Sequence, residues 1–159
     1  MLDVKTFSTI VKNAPLISLD LCLVCEGKIL LCERENEPLK GQWFTPGGRI
    51  YKNETWQSAL LRIAQTELGL RNNKIEDFAL MGIWDHFYSN SIIAESTSTH
   101  YVNLPHFACF KTMPLIALDD QHAEFDWFEL ELVSNSKVFH PYMQNYAKWL
   151  TREVVGAHD

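Results

Sequence analysis

The stretch GGRIYKNETWQSALLRIAQTELGL, Gly47 to Leu70, carries residues whose types and spacing could do chemistry. The paired glycines Gly47 and Gly48 permit a tight turn that exposes backbone groups close to a ligand. A helix is predicted to follow from about Glu54 to Leu68, with Gly69 as its stop. Glu54 would open it, where a carboxylate suits the positive end of the helix dipole. Positions 63, 66 and 67 share one helical face, and here they are Ile63, Thr66 and Glu67. Three carboxylates on that face would cage several divalent cations. A single one can supply only part of one cation's shell, which magnesium tolerates because it keeps waters and takes substrate phosphate oxygens as ligands. Asp20 is a second unusual group. It stands in the apolar run ISLDLCLV, where a carboxylate is costly unless paired.

The elements that must hold these residues can be read on either side. DVKTFSTIVKN has Val4, Phe7, Ile10 and Val11 at helical spacing behind Asp3, a potential N-cap. Ile17, Leu19, Leu21 and Leu23 alternate on one face of a strand and leave Asp20 on the other. KILLCER reads as the returning strand, which delivers Arg34, and residues 35–42 as a loop. WFTPGG is a short extended piece ending in a turn. Strands are expected within FALMGIWDHFY, HYVNLPHFACF and FDWFELEL. YMQNYAKWLTREVV is a closing amphipathic helix with Tyr142, Tyr146, Trp149 and Leu150 on one side. Strands mixed with helices, without regular βαβ alternation, point to a mixed sheet with helices packed on it.

Composition narrows the function classes. The chain has 159 residues, which suits a single domain over 1–159 with a sizeable core. Its formal net charge of −6 argues against general binding to nucleic acid or to anionic membranes. An anionic substrate would need placed arginines or a metal. No apolar stretch is long enough to span a membrane. MLDVKTFSTIVKNAPL lacks a charged leader followed by an apolar run, so a cytoplasmic location is expected. Cys22 and Cys25 form a C-x-x-C with no second pair, and Cys32 and Cys109 complete the set. Residues three apart on a strand face opposite ways, so structural thiols are the expectation.

The opening stretch resembles a Nudix box, whose pattern is G-x5-E-x7-R-E-U-x-E-E-x-G-U, with U a bulky apolar residue. Gly48, Glu54, Arg62, Ala64, Glu67, Gly69 and Leu70 fit it. Ile63 and Thr66 stand where the pattern has glutamates. The GDP-mannose mannosyl hydrolases depart from the pattern in the same way. PLISLDL, GQWFTPGGRI, GIWDHFY, THYV and LDDQHAEFDW also look like that branch, in the same order. The resemblance implies a Nudix-fold α/β/α sandwich and a homodimer. It also implies hydrolysis of GDP-mannose to GDP and free hexose by water attacking the anomeric carbon. One Mg2+ per active site would be held by Glu67, the Gly47 carbonyl and Gln121. Arg34, Arg49, His86 and Tyr101 would hold the diphosphate and neutralise it as it leaves. Asp20 would orient the sugar hydroxyls, and His122 would be the general base. Taken without the resemblance, each of these side chains except Asp20 has an ordinary structural reading. A conventional Nudix pyrophosphohydrolase and an inactive nucleotide-binding Nudix fold are the rival expectations.

Overall fold

The computed structural model of the chain describes residues 2–118 and 122–155, with the side chains of His122 and Ala123 outside that description. The first helix, α1 (Val4–Asn13), begins as its sequence predicts, because the Asp3 carboxylate accepts from the Thr6 amide at 2.9 Å. The strand β1 (Leu16–Cys25) then runs through the middle of a mixed sheet. Its two halves have different partners. Leu16–Ser18 pair in parallel with β7 (Thr99–Asn103), and Ser18–Asp20 pair antiparallel with β4 (Gly47–Arg49). Leu21–Cys25 pair in parallel with β8 (His106–Phe110), and Val24 and Cys25 pair antiparallel with β2 (Lys28–Arg34). The exchange of partners falls at Asp20 and Leu21, so the sheet divides where the one buried acid of the strand sits.

The short strand β3 (Trp43–Phe44) joins β2, while β4 joins β1, so the run from Trp43 to Arg49 bridges the division. Leu21 donates its amide to the Pro46 carbonyl at 2.8 Å within it. The remaining strands are β5 (Ala79–Leu80) on β8, β6 (Trp84–Tyr88) on β7, and β9 (His122–Glu129) on β2.

Both faces of β1 are covered from Leu19 onward, which explains an apolar run there broken only by Asp20. Leu19, Leu21 and Leu23 pack with Leu60, Ile63 and Leu68 of α2 (Trp56–Leu68). Cys22 and Val24 face the other layer, built from α3 (Leu130–Asn135) and α4 (Pro141–Leu150) through Val133, Met143, Tyr146 and Leu150. Burying each such side chain contributes about 1.5–3 kcal/mol. The result is the α/β/α sandwich with a mixed sheet. Among the described residues, no helix is long and apolar enough to cross a membrane.

Three local expectations need correction. Ile17 does not share the burial of Leu19, Leu21 and Leu23; it is half exposed, because the first half of β1 extends beyond the cover of α2. FDWFELEL is not all strand, since the chain turns into α3 at Leu130. The central helix opens at Trp56 rather than Glu54, with the Thr55 hydroxyl accepting from the Ser58 amide at 3.2 Å. Its end is as expected, with Gly69 at φ 70°, the left-handed geometry of a helix stop. The four cysteines form no disulfide; Cys22, Cys25 and Cys32 are buried, and burial pushes the Cys22 thiol well up.

Glu54, freed from the helix start, takes a different task. Its carboxylate receives Arg62 Nε at 2.7 Å and Nη2 at 3.0 Å, and Arg62 also donates to the Arg49 carbonyl at 3.0 Å. The Arg62 guanidinium lies 4.1 Å from the Tyr51 ring centroid. This pair ties the segment after β4 to the helix. Glu54→Gln should therefore cost about 1–2 kcal/mol of stability, the value of a charge-assisted hydrogen bond, and lower Tm by about 2–8 °C. A melting curve in a metal-free buffer checks this, and an unchanged Tm would remove Glu54 from that structural role.

Candidate functional site

The division of the sheet opens into a cavity of about 590 Å³, within the range of small-molecule sites. Asp20, Arg34, Gly47, Arg49, Glu67, His86 and Tyr101 all line it. They are brought there by six different pieces of the fold. Asp20 comes from the exchange point of β1, Arg34 from the end of β2, Gly47 and Arg49 from β4, Glu67 from the last turn of α2, and His86 and Tyr101 from opposed positions on β6 and β7. Gln121 lies outside the described residues. So does the His122 side chain, but the His122 backbone pairs directly across from Arg34, beyond an irregularity in the β2–β9 ladder.

The two glycines matter here by close approach rather than by a turn, because both lie in β4. A Cβ on Gly47 would come within 2.5 Å of the Leu19 carbonyl and collide with the Asp20 carboxylate. On Gly48 it would press on Ile63 at 3.3 Å and reach 3.6 Å from Glu67 Oε1. Ile63 is thus packed beneath the glycine pair as core, and Thr66, at the cavity wall, is exposed. Glu67 is only 6% exposed, and its Oε2 accepts the Gly47 amide at 3.0 Å. It is the one carboxylate along α2. Among the described residues, no three His, Cys, Asp or Glu side chains gather as a self-sufficient metal cage. The Glu67 carboxylate, with the Gly47 carbonyl as the second candidate, would supply a small set of hard oxygen donors. Such a set fits a magnesium ion that completes its shell with waters and substrate oxygens.

The electrostatics separate the acid from the bases. Asp20 is 7% exposed and receives the Tyr146 hydroxyl at 2.7 Å. Burial nevertheless lifts its carboxyl to about 6, against the opposing pull of that hydroxyl and of Arg34. His86 is 1% exposed and stacks on Tyr142, with ring centroids 4.0 Å apart and planes 5° from parallel. Burial, helped by the charge of His140, lowers its imidazole to about 4. It is therefore neutral at physiological pH. As a neutral ring it would act on a departing diphosphate as a hydrogen-bond donor. Burial also raises the Tyr101 phenol, which stays protonated. The positive charge at the cavity comes from Arg34, Arg49 and Arg62. Arg34 donates its Nε to the Pro38 carbonyl at 2.8 Å, and Arg49 lies over the Phe7 and Tyr51 rings at 4.5 and 5.2 Å.

Asp20 and His86 pull stability in opposite directions with pH. Between pH 3.8 and about 6 the folded chain keeps a proton on Asp20 that the unfolded chain has released, so stability falls as pH rises. Between about 4 and 6.5 the unfolded chain protonates a histidine that the fold keeps neutral, so stability rises with pH. The slopes partly cancel. Asp20→Asn can still accept from Tyr146 and removes only the first slope. The variant should gain on the order of 2 kcal/mol above pH 7 and lose stability more steeply below 6.5 than the parent. Denaturant titrations with EDTA across pH 4.5–8 test this; parallel profiles would show that Asp20 titrates in its ordinary range.

Sequence reasoning missed Ser18, Thr45, Tyr88 and Asn103, which also line the cavity. The signal for Asn103 was available: it follows Tyr101 by two, and alternate residues of a strand share a face. The same signal marked Ser18, two before Asp20 on β1, and Tyr88, two after His86 on β6; Thr45 carried none.

Comparison with known proteins agrees with this architecture. A family model described as the NUDIX domain matches residues 19–150. The low-salt glycan biosynthesis protein Agl8 of Haloferax volcanii is 40% identical over 147 residues, covering 88% of this chain and 85% of that protein. An ADP-ribose pyrophosphatase of Methanocaldococcus jannaschii is 38% identical over 56 residues, 35% of this chain and 33% of that one. Among solved structures, a MutT NUDIX hydrolase from Burkholderia pseudomallei matches with a TM-score of 0.71 at 23% identity, covering 87% of this chain and all of the other. The NUDIX domain of Shewanella oneidensis NrtR, solved with ADP ribose, matches with a TM-score of 0.69 at 16% identity over 97% of this chain and 99% of that one. Residues 19–150 span both core layers and most of the cavity lining, and the chain belongs to the NUDIX domain family.

Proposed function

We propose that this Nudix hydrolase cleaves GDP-mannose, with GDP-glucose a possible second substrate, to GDP and free hexose. The observation that supports this reading most is the face of α2 towards the glycine pair. Ile63 is core there, and Glu67 alone offers a carboxylate. A site of this kind is poorly equipped to activate water at phosphorus with a metal cluster. It is better equipped to stabilise a departing diphosphate, through Arg34, Arg49 and donors such as Tyr101. The resemblance to Agl8, whose name places it in glycan biosynthesis, suits a nucleotide-sugar substrate.

On this reading a water oxygen attacks the anomeric carbon, and the bond from that carbon to the β-phosphate oxygen breaks. The electron pair leaves with GDP, and His122 takes the water's proton. Direct displacement inverts the anomeric centre, so an α-linked mannose first appears as the β-anomer. Asp20, ionised above about pH 6, accepts from sugar hydroxyls and orients the ring. Arg34 and Arg49 hold the diphosphate, since the guanidinium fork matches phosphate oxygens. Glu67, the Gly47 carbonyl and Gln121 would hold a magnesium ion, which supplies Lewis-acid stabilisation of the leaving group. The same reading makes the protein a cytoplasmic homodimer of single domains.

The local likeness to an ADP-ribose pyrophosphatase favours a second reading, cleavage at phosphorus. Product analysis with nucleotide sugars, magnesium and 18O-water separates the two. GDP plus labelled hexose supports hydrolysis at carbon. GMP plus hexose phosphate overturns it, and tight binding without turnover would leave a binding protein.

A further inference from the structure

We propose that Asn103, oriented by Ser18, is a positioning residue that fixes His86 as its Nε2–H tautomer. The cavity thereby gains a neutral hydrogen-bond donor for an oxygen of the bound nucleotide sugar. The inference starts from two buried side-chain polar atoms that lack a protein partner among the described residues, Thr45 Oγ1 and His86 Nε2. Both belong to residues lining the cavity. A buried polar atom without a partner costs about 1–3 kcal/mol, so two of them in one wall point to a ligand that completes them.

The tautomer follows from a chain of hydrogen bonds across three strands. Ser18 of β1 pairs with Asn103 of β7, and its hydroxyl donates to the Asn103 side-chain oxygen. That places the Asn103 amide nitrogen against His86 Nδ1. His86 lies on β6 opposite Tyr101, two residues along from Asn103 on the same face. An amide nitrogen only donates, so Nδ1 must be the bare nitrogen and Nε2 must carry the ring proton. Turning the amide over would reverse this. It would also strip the buried Ser18 hydroxyl of the one acceptor recorded for it, which is the physical reason that Ser18 locks the arrangement. Stacking on Tyr142 fixes the ring plane, so neither nitrogen can swing away.

The proton position stands independently of the substrate; the donor's target rests on the reading under Proposed function. The test has two arms. Long-range 1H–15N correlation spectra of the histidine rings, recorded on the full chain at pH 9, should show His86 with a protonated Nε2 and a bare Nδ1. Asn103→Asp places an acceptor-only group against Nδ1 and should move the proton there. Ser18→Ala, which changes no charge, should release the amide and give mixed tautomers. In the second arm, kcat/KM for GDP-mannose at pH 9 should fall about 10- to 100-fold in Asn103→Asp, the worth of one hydrogen bond to a charged acceptor. It should fall less in Ser18→Ala, in step with the lost Nε2–H population. A wild-type ring protonated on Nδ1, or a tautomer unmoved by both variants, overturns the positioning role. A shifted tautomer with kcat/KM within about twofold of the parent overturns the donor role. If the wild type has no turnover while the spectra behave as expected, the substrate reading fails and the positioning of His86 stands.

Discussion

Glu67→Gln is expected to lower magnesium-dependent kcat by about 10²-fold or more, since metal stabilisation of a leaving group is worth several kcal/mol. The fold should be nearly untouched. The glutamine side-chain oxygen can still accept the Gly47 amide that Glu67 now receives at 3.0 Å, and the side chain keeps its volume in a tight site. What it loses is the negative charge and with it most of its affinity for a hard cation. Because α2 offers no second carboxylate, nothing on that helix can substitute. The contrast is with Glu54→Gln, which should lower Tm and spare the chemistry. Steady-state rates across a magnesium titration, with melting curves on the same preparations, separate the two. Near-normal, magnesium-dependent turnover by Glu67→Gln would remove it as a metal ligand.

How much of this was readable in the chain depended on whether the determinant was local. The Asp3 cap of α1 and the Gly69 stop of α2 are short-range chemistry, and both stand as the sequence indicates. The start of α2 was misplaced because Glu54 is a good first-turn residue in isolation. Its partner Arg62 lies eight positions later, and that pairing outweighs the dipole. The alternation in β1 was visible, but the change of strand partners at Asp20 was not. It is set by where β4 and β7 end and β2 and β8 begin, which no window of β1 contains. Asp20 could be marked as costly from composition alone; its Tyr146 partner, 126 residues away, could not. The gathering of Arg34, Arg49, His86 and Tyr101 around one cavity was expected only through family resemblance, since each is ordinary in its own segment. The charge state of His86 was not legible either, because it depends on burial and not on residue type.

His122→Gln is expected to slow turnover by about 10²- to 10⁴-fold, the usual contribution of a positioned general base, and to flatten the acidic side of the rate profile. The backbone of His122 pairs across from Arg34, which lines the cavity. A base must be neutral, so the parent rate should fall as pH drops through the ordinary imidazole range, about 6 to 7. Two other groups could shape that limb, and the structure separates them. Burial lowers the His86 imidazole to about 4, so its protonation falls below that limb. Asp20 protonates near 6 and would add to the limb through lost orientation of the sugar. Asp20→Asn should therefore reduce the rate but keep a limb, whereas His122→Gln should abolish the dominant one. KM should change little in His122→Gln, because the imidazole acts mainly in the transition state. Reaction in 18O-water locates the bond that breaks in the same experiment. Label on the hexose, with the limb lost in His122→Gln alone, fits attack at carbon with His122 as base. Label on the hexose with an unchanged limb in that variant keeps the reaction and removes His122 as its base. Label on the diphosphate moves the chemistry to phosphorus, where a lone helix carboxylate would have to do what the glutamate cluster does in the Nudix box pattern.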